Sequence, residues 1–170
     1  MKKQNKKHES GRSMIEMVGV LAVMGLITAA AFVLITSAMR SQKLSRADDD
    51  ISALAAGVRL LYNNSADAGG FKGIVTATSA NTLKVLGFDK VKPAYGTDST
   101  YEIAAVKSVA SGTNVPTNCQ STDSDCPYFS ISFNADTATT CSGLAQREWA
   151  NGGKSSCNGT KLTIVFGDGK

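Results

Sequence analysis

Residues 11–39 read GRSMIEMVGVLAVMGLITAAAFVLITSAM, and the 23 residues from Met17 to Met39 carry no charge. As an α-helix rising roughly 1.5 Å per residue, such a run is long enough to cross the hydrocarbon core of a bilayer. A secretory signal peptide also sets a basic tail before an apolar core, but that core spans only about 7–15 residues and ends in a small-residue cleavage motif, so this run is too long. Lys2, Lys3, Lys6, Lys7 and Arg12 precede it and Arg40, Lys43 and Arg46 follow it. The excess of cations on the first side sets the N-terminus in the cytoplasm and the bulk of the chain outside. Glu16, at the edge of the span, either marks the membrane boundary or needs a partner or a proton, because an ionised carboxylate costs roughly 2.5 kcal/mol or more at the membrane centre.

Beyond the span the helical pattern continues. Leu44, Ala47, Ile51, Leu54, Val58 and Leu61 recur at steps of three and four, Ala55 and Tyr62 widen the stripe, and Arg46, Asp48, Asp49 and Ser52 fall on other faces. A helix from about Ser13 to Asn64 is roughly 78 Å long, apolar all round in its first half and amphipathic in its second. The turn-prone stretch from Asn63 to Gly70 ends it. A head follows, over residues 65–170. In it a short helix is predicted around Ser79 to Leu86, with Ser79 as cap and Gly87 as terminator. Three segments alternate as half-buried strands: Thr100 to Val106 with Tyr101, Ile103 and Ala105 on one side, Tyr128 to Phe133 with Phe129, Ile131 and Phe133, and Lys161 to Phe166 with Leu162, Ile164 and Phe166. Strands with one apolar face need a cover, and the amphipathic half of the long helix supplies it. The expected fold class is α+β, a long N-terminal helix packed on a small antiparallel sheet with a disulfide-bonded C-terminal region.

The average composition, 42% hydrophobic and 19% charged, conceals this segregation. The single histidine, His8, lies in the basic tail, so no histidine-dependent triad, acid–base pair or zinc site is available to the head. Net charge is +4, but residues 65–170 balance nine basic against nine acidic side chains, which leaves no electrostatic footprint for nucleic acid. Cys119, Cys126, Cys141 and Cys157 lie in polar loops of the final third, and an even count in an exported domain reads as two disulfides. Pairing Cys119 with Cys126 and Cys141 with Cys157 is preferred, since each bridge pins a polar loop flanking a strand; the other two connectivities and a four-thiolate metal site remain open. Asp48-Asp49-Asp50 reads as a solvated helix face, because helical neighbours diverge by about 100°, and Asp123-Ser124-Asp125 as a turn. Trp149 reads as a partly buried anchor for the loop between Cys141 and Cys157. No catalytic residue, metal site or cofactor is expected.

The N-terminal pattern resembles the class III leader of type IV pilins and pseudopilins: a short Lys-rich leader ending in Gly11, then Arg12-Ser13-Met14-Ile15, then Glu16 and an apolar helix beginning Met17-Val18-Gly19-Val20-Leu21-Ala22. The resemblance is specific from Gly11 to about Leu34 and architectural beyond. It implies a leader of residues 1–11, cut between Gly11 and Arg12 by a prepilin peptidase that methylates the new terminus, a long helix of residues 12–64 and a globular head of residues 65–170. It further implies a homopolymer whose filament core is built by helices with Gly19, Ala22, Gly25 and Ala29 permitting close approach, and whose subunits are registered by Glu16 against the new terminus at Arg12. An inner-membrane platform protein and an assembly ATPase are the implied partners, and the locations are the bacterial inner membrane before assembly and an extracellular pilus after it. Arg12 departs from the large apolar residue usual at the first mature position, and no proline precedes Pro93 where many family members have one within the helix. A pseudopilin of a type II secretion system shares the same N-terminal half and is the alternative. A membrane-tethered enzyme or ligand-binding domain is the rival of another class; the absence of histidine from the head and of a G-x-S-x-G motif counts against it.

Overall fold

The structure is a computed structural model and describes residues 14–62, 69–76, 79–96, 100–111 and 113–167. No proline interrupts the run from Met14 to Tyr62, so every backbone N–H beyond the first turn has a carbonyl four residues back to bond. Those residues form one helix, α1 (Met14–Tyr62). Tertiary contacts divide the chain into two units, Met1–Gln42 and Lys43–Lys170, so the amphipathic end of α1 belongs with the head. The remaining elements are β1 (Gly69–Gly70), α2 (Gly73–Thr76), α3 (Ser79–Val85), β2 (Glu102–Val109), β3 (Pro116–Asn118), β4 (Asp125–Cys126), β5 (Tyr128–Asn134), α4 (Ala138–Ala145), β6 (Lys154–Asn158) and β7 (Lys161–Gly167).

Five strands form an antiparallel sheet in the order β3-β2-β5-β7-β6, and β1 pairs with β4 in a separate parallel ribbon. Alternation decides which side is buried. Ile103 and Ala105 of β2, Phe129, Ile131 and Phe133 of β5, and Leu162, Ile164 and Phe166 of β7 join one core with Ala47, Ile51, Leu54, Ala55 and Val58 of α1. The head is thus α+β and pilin-like, a helix laid on an antiparallel sheet with two disulfides in its C-terminal part. Aromatic rings fill the space between the layers: Phe129 stacks on Phe166 at 5.3 Å, Phe71 meets Phe129 at 4.6 Å, and Tyr101 meets Phe133 edge-on at 5.6 Å. Such pairs contribute about 0.5–1.5 kcal/mol beyond the area they bury.

Polar groups tie the helix to the sheet at both ends of this layer. The Arg59 guanidinium lies 5.9 Å from the ring centres of Phe129 and Phe166, and its Nη2 donates to the Gly167 carbonyl at 3.3 Å. Tyr101 donates its hydroxyl to Asp50 Oδ2 at 3.2 Å, so the aspartate run is not wholly a solvated face. At the last turn of α1 the inward position passes to Tyr62, whose hydroxyl shares a 2.8 Å hydrogen bond with that of Thr82, while Leu61 is 41% exposed.

Two glycines are demanded by the backbone. Gly70 has φ of 65° and lies so close to the Cys126 carbonyl that a Cβ would stand 2.5 Å from its oxygen, and the next residue, Phe71, donates its N–H to that same carbonyl at 2.8 Å. Gly87, at φ 76°, ends α3: Phe88 N–H returns to the Leu83 carbonyl at 2.8 Å and Gly87 N–H to Lys84 at 3.2 Å, a Schellman closure. Ser79 does not act as the expected cap; its Oγ accepts the Ile103 N–H at 2.8 Å and so joins α3 to β2.

Burial and the adjacent Asp50 carboxylate hold the Tyr101 phenol well above the ordinary tyrosine value of 10.0. Because the folded value is the higher one, the stability it carries is complete below pH 10 and is lost as pH rises above that point, where the unfolded chain ionises and the folded one does not. Tyr101→Phe is expected to destabilise the head at neutral pH by about 1 kcal/mol and to flatten the alkaline fall in stability. In a phenolate absorbance titration of the wild type, one of the four tyrosines should stay protonated until the head unfolds; four titrating together in native protein would contradict the assignment.

Candidate functional site: the apolar helix and the disulfide-bonded loops

Within the first unit, every described residue from Met14 to Gln42 except the half-buried Thr36 is exposed, and the large apolar side chains between Met14 and Met39 have 50–86% of their surface open. The most apolar 18-residue window of α1 has a mean hydropathy of 2.6 and no buried residue. At about 25 cal/mol per Å² of apolar surface, leaving that many side chains in water is unfavourable by on the order of 15 kcal/mol or more, so the helix needs an apolar surrounding. It is long and apolar enough to cross a membrane.

Two of the three hydroxyl side chains of the run, those of Thr28 and Thr36, are compatible with hydrocarbon. Thr28 donates its hydroxyl to the Met24 carbonyl at 2.8 Å and Thr36 to Val33 at 2.9 Å, so both satisfy themselves within the helix. Gly19, Ala22, Gly25 and Ala29 all lie on this exposed segment, and a Cβ at Gly19 or Gly25 would meet nothing within 4 Å. No packing inside the described chain requires glycine there. Glu16 is exposed in the first turn of α1, and among the described residues no ion pair involves it. Gly11 and Arg12 lie outside the described residues, as does the rest of the expected leader.

In the head, Cys119 is bonded to Cys126 and Cys141 to Cys157, with Cα atoms 6.1 and 5.9 Å apart. All four thiols are consumed. The first bridge closes the turn between β3 and β4, where Asp123 Oδ1 accepts from Lys107 Nζ at 2.7 Å and its Oδ2 from Gln120 N–H at 2.9 Å. The lysine, together with that backbone N–H, holds the Asp123 carboxyl below the usual carboxylate range. Asp123-Ser124-Asp125 is therefore a braced turn. The second bridge staples α4 to β6. Thr137 caps α4, its Oγ1 accepting from Thr140 N–H at 3.1 Å, and Ser155 Oγ on β6 donates to the Ala145 carbonyl at 2.8 Å. Trp149 is buried in the core between the two bridged cysteines, and its indole N–H has no partner among the described residues.

Sequence reasoning missed α4 and β6. Ala138-Thr139-Thr140-Cys141-Ser142 and Lys154-Ser155-Ser156-Cys157-Asn158 are too polar to show a period, and Thr137 as N-cap was the one local signal for the helix.

Replacing Cys141 or Cys157 by Ser is expected to destabilise the head by about 2–5 kcal/mol, since the bridge closes a loop of sixteen residues. Denaturant midpoints with and without reductant check this, and equal midpoints would contradict it. Compared with known proteins, the chain matches no family model, no curated protein and no solved structure.

Proposed function

We propose that this chain is a structural subunit of a type IV pilus, made as a precursor in a bacterial inner membrane and polymerised through its N-terminal helix after a prepilin peptidase removes residues 1–11. The observation that carries this reading is the exposed, uncharged helical run from Met17 to Met39, set directly after Gly11–Glu16 and continuing as the core helix of a pilin-like head.

The energetics of such a subunit follow from the apolar segment. Moving it from lipid into a bundle of like helices exchanges one apolar surrounding for another, so burial is nearly neutral and packing with polar contacts decides. Gly19, Ala22, Gly25 and Ala29 let backbones approach closely. Val, Leu and Ala repeat along the segment, so apolar contact alone fixes no axial offset. Glu16 breaks that degeneracy: on an incoming subunit its carboxylate would pair with the α-amino group of Arg12 on a neighbour, and the Arg12 guanidinium offers a second cation. The assembly platform and its ATPase would supply the work of extraction from the membrane.

N-terminal sequencing of the mature protein tests the processing step. The expected first residue is Arg12; an intact Met1, or a cut beyond Met39, defeats the reading. Gly11→Ala should accumulate precursor, because a side chain there obstructs close approach of the peptidase to the backbone. Glu16→Gln should be cut and inserted normally yet yield few or no filaments by electron microscopy, and normal filaments in normal number would refute the pairing.

A further inference from the structure

The face of the sheet turned away from α1 is partly covered. Along β5 the outward positions are Tyr128, Ser130, Ser132 and Asn134, alternating with the core residues Phe129, Ile131 and Phe133. Ser132 sits in register between Glu102 on β2 and Thr163 on β7, and Ser130 between Ala104 and Val165. Small hydroxyls on an outward face are ordinarily solvated, yet Ser130 is 3% and Ser132 7% exposed. Val106 and Val165, on the same face, are buried without belonging to the main core. The β2–β3 turn contributes cover. Asn114 within it donates its side-chain amide to the Ser155 carbonyl at 3.4 Å, which carries the turn across to the edge strand opposite β3.

One hollow that stays open on this face measures about 370 Å³, with Asn118, Ser130, Ser132 and Thr163 in its lining and Glu102 and Lys161 at one end. That volume falls in the range of roughly 300–1,000 Å³ common to small-molecule sites. Its two charges cancel locally, Lys161 Nζ standing 2.6 Å from Glu102 Oε2. The other polar lining groups are hydroxyls, that of Ser79 among them, and an amide, which both donate and accept, while Ile103, Ala104 and Pro116 complete the wall. The buried hydroxyls are poorly served by the protein: Ser130 Oγ reaches the Ala104 carbonyl, and Ser132 Oγ the Glu102 carboxylate, only at 3.5 Å, against about 2.7–2.8 Å for a good bond of this type. Two buried hydroxyls with long bonds at the floor of a hollow are completed by a ligand that brings hydroxyls of its own.

We infer that this hollow binds a neutral saccharide, one unit of a polyhydroxylated glycan, through Asn118, Ser130, Ser132 and Thr163. An anion would meet the Glu102 carboxylate, and an apolar ligand would leave both serines worse off than water does. The inference does not depend on filament assembly. The full chain, purified in a zwitterionic detergent so that no sugar head group competes, is applied to an array of neutral and acidic oligosaccharides, and the tightest neutral binder is titrated calorimetrically. Asn118 is exposed and Thr163 half-buried, so Asn118→Ala and Thr163→Val should fold normally. Each is expected to weaken binding about three- to tenfold, the effect of one hydrogen bond, with an unchanged unfolding midpoint. Retention of no neutral glycan by natively bridged protein, affinity unaltered by both substitutions, or binding confined to acidic glycans would each overturn the proposal.

Discussion

The stripe formed by Ala47, Ile51, Leu54, Ala55 and Val58 presses on an aromatic layer of Phe129, Phe133 and Phe166, and the rest of the head is arranged around that contact. A sheet with one apolar face has no stable existence in water without a cover, and a helix stripe has none without a floor. The same helix begins as a segment apolar on every side. Its sequence therefore obeys two rules in succession: up to Met39 hydrophobicity is unrestricted around the axis, and from Arg40 onward it is confined to one face. The change of rule coincides with the cations Arg40, Lys43 and Arg46, and the head unit begins at Lys43.

Polar interactions in the head act mainly as locators. The exposed pairs Lys107–Asp123 and Lys161–Glu102 lie at the surface, where an ion pair contributes little stability. The Tyr101–Asp50 bond is different because its donor is buried in the core, and leaving such a group unpaired is expensive. It sets the rotation of the helix about its own axis, as Arg59 does from the other end of the stripe. The two disulfides hold the parts of the head that hydrophobic burial holds least: the polar turn before β4 and the Ser/Thr-rich α4 against edge strand β6.

Legibility in the sequence followed how much apolar surface each element buries. The inward residues of β2, β5 and β7 were readable because large apolar side chains alternate along these strands with mostly small or polar ones, and Tyr101, Ile103, Phe129, Ile131, Phe133, Leu162, Ile164 and Phe166 are all buried. The stripe of α1 was readable for the same reason, except at Leu61, where Tyr62 takes the inward place. Edge elements escaped notice: the residue that β6 buries is Ser155, a polar side chain satisfied by a hydrogen bond, and β3 spans three residues beginning with proline. Asp50 was misjudged because its partner, Tyr101, lies fifty-one residues away, a separation that no local period reports. The hollow on the outer face was invisible for a related reason. Its residues come from four strands and α3, and only register brings Glu102, Ser132 and Thr163 into one row.

The strand order has a consequence for biogenesis. Strand β7, the last in sequence among the described elements, lies inside the sheet between β5 and β6, not at an edge. While the polypeptide emerges from the ribosome, β5 and β6 have no shared neighbour, and Arg59 has neither Phe166 nor the Gly167 carbonyl to hold. Closure of the core must wait for the distal segment. Such a topology slows folding, so the head closes as one unit only once its last strand is available.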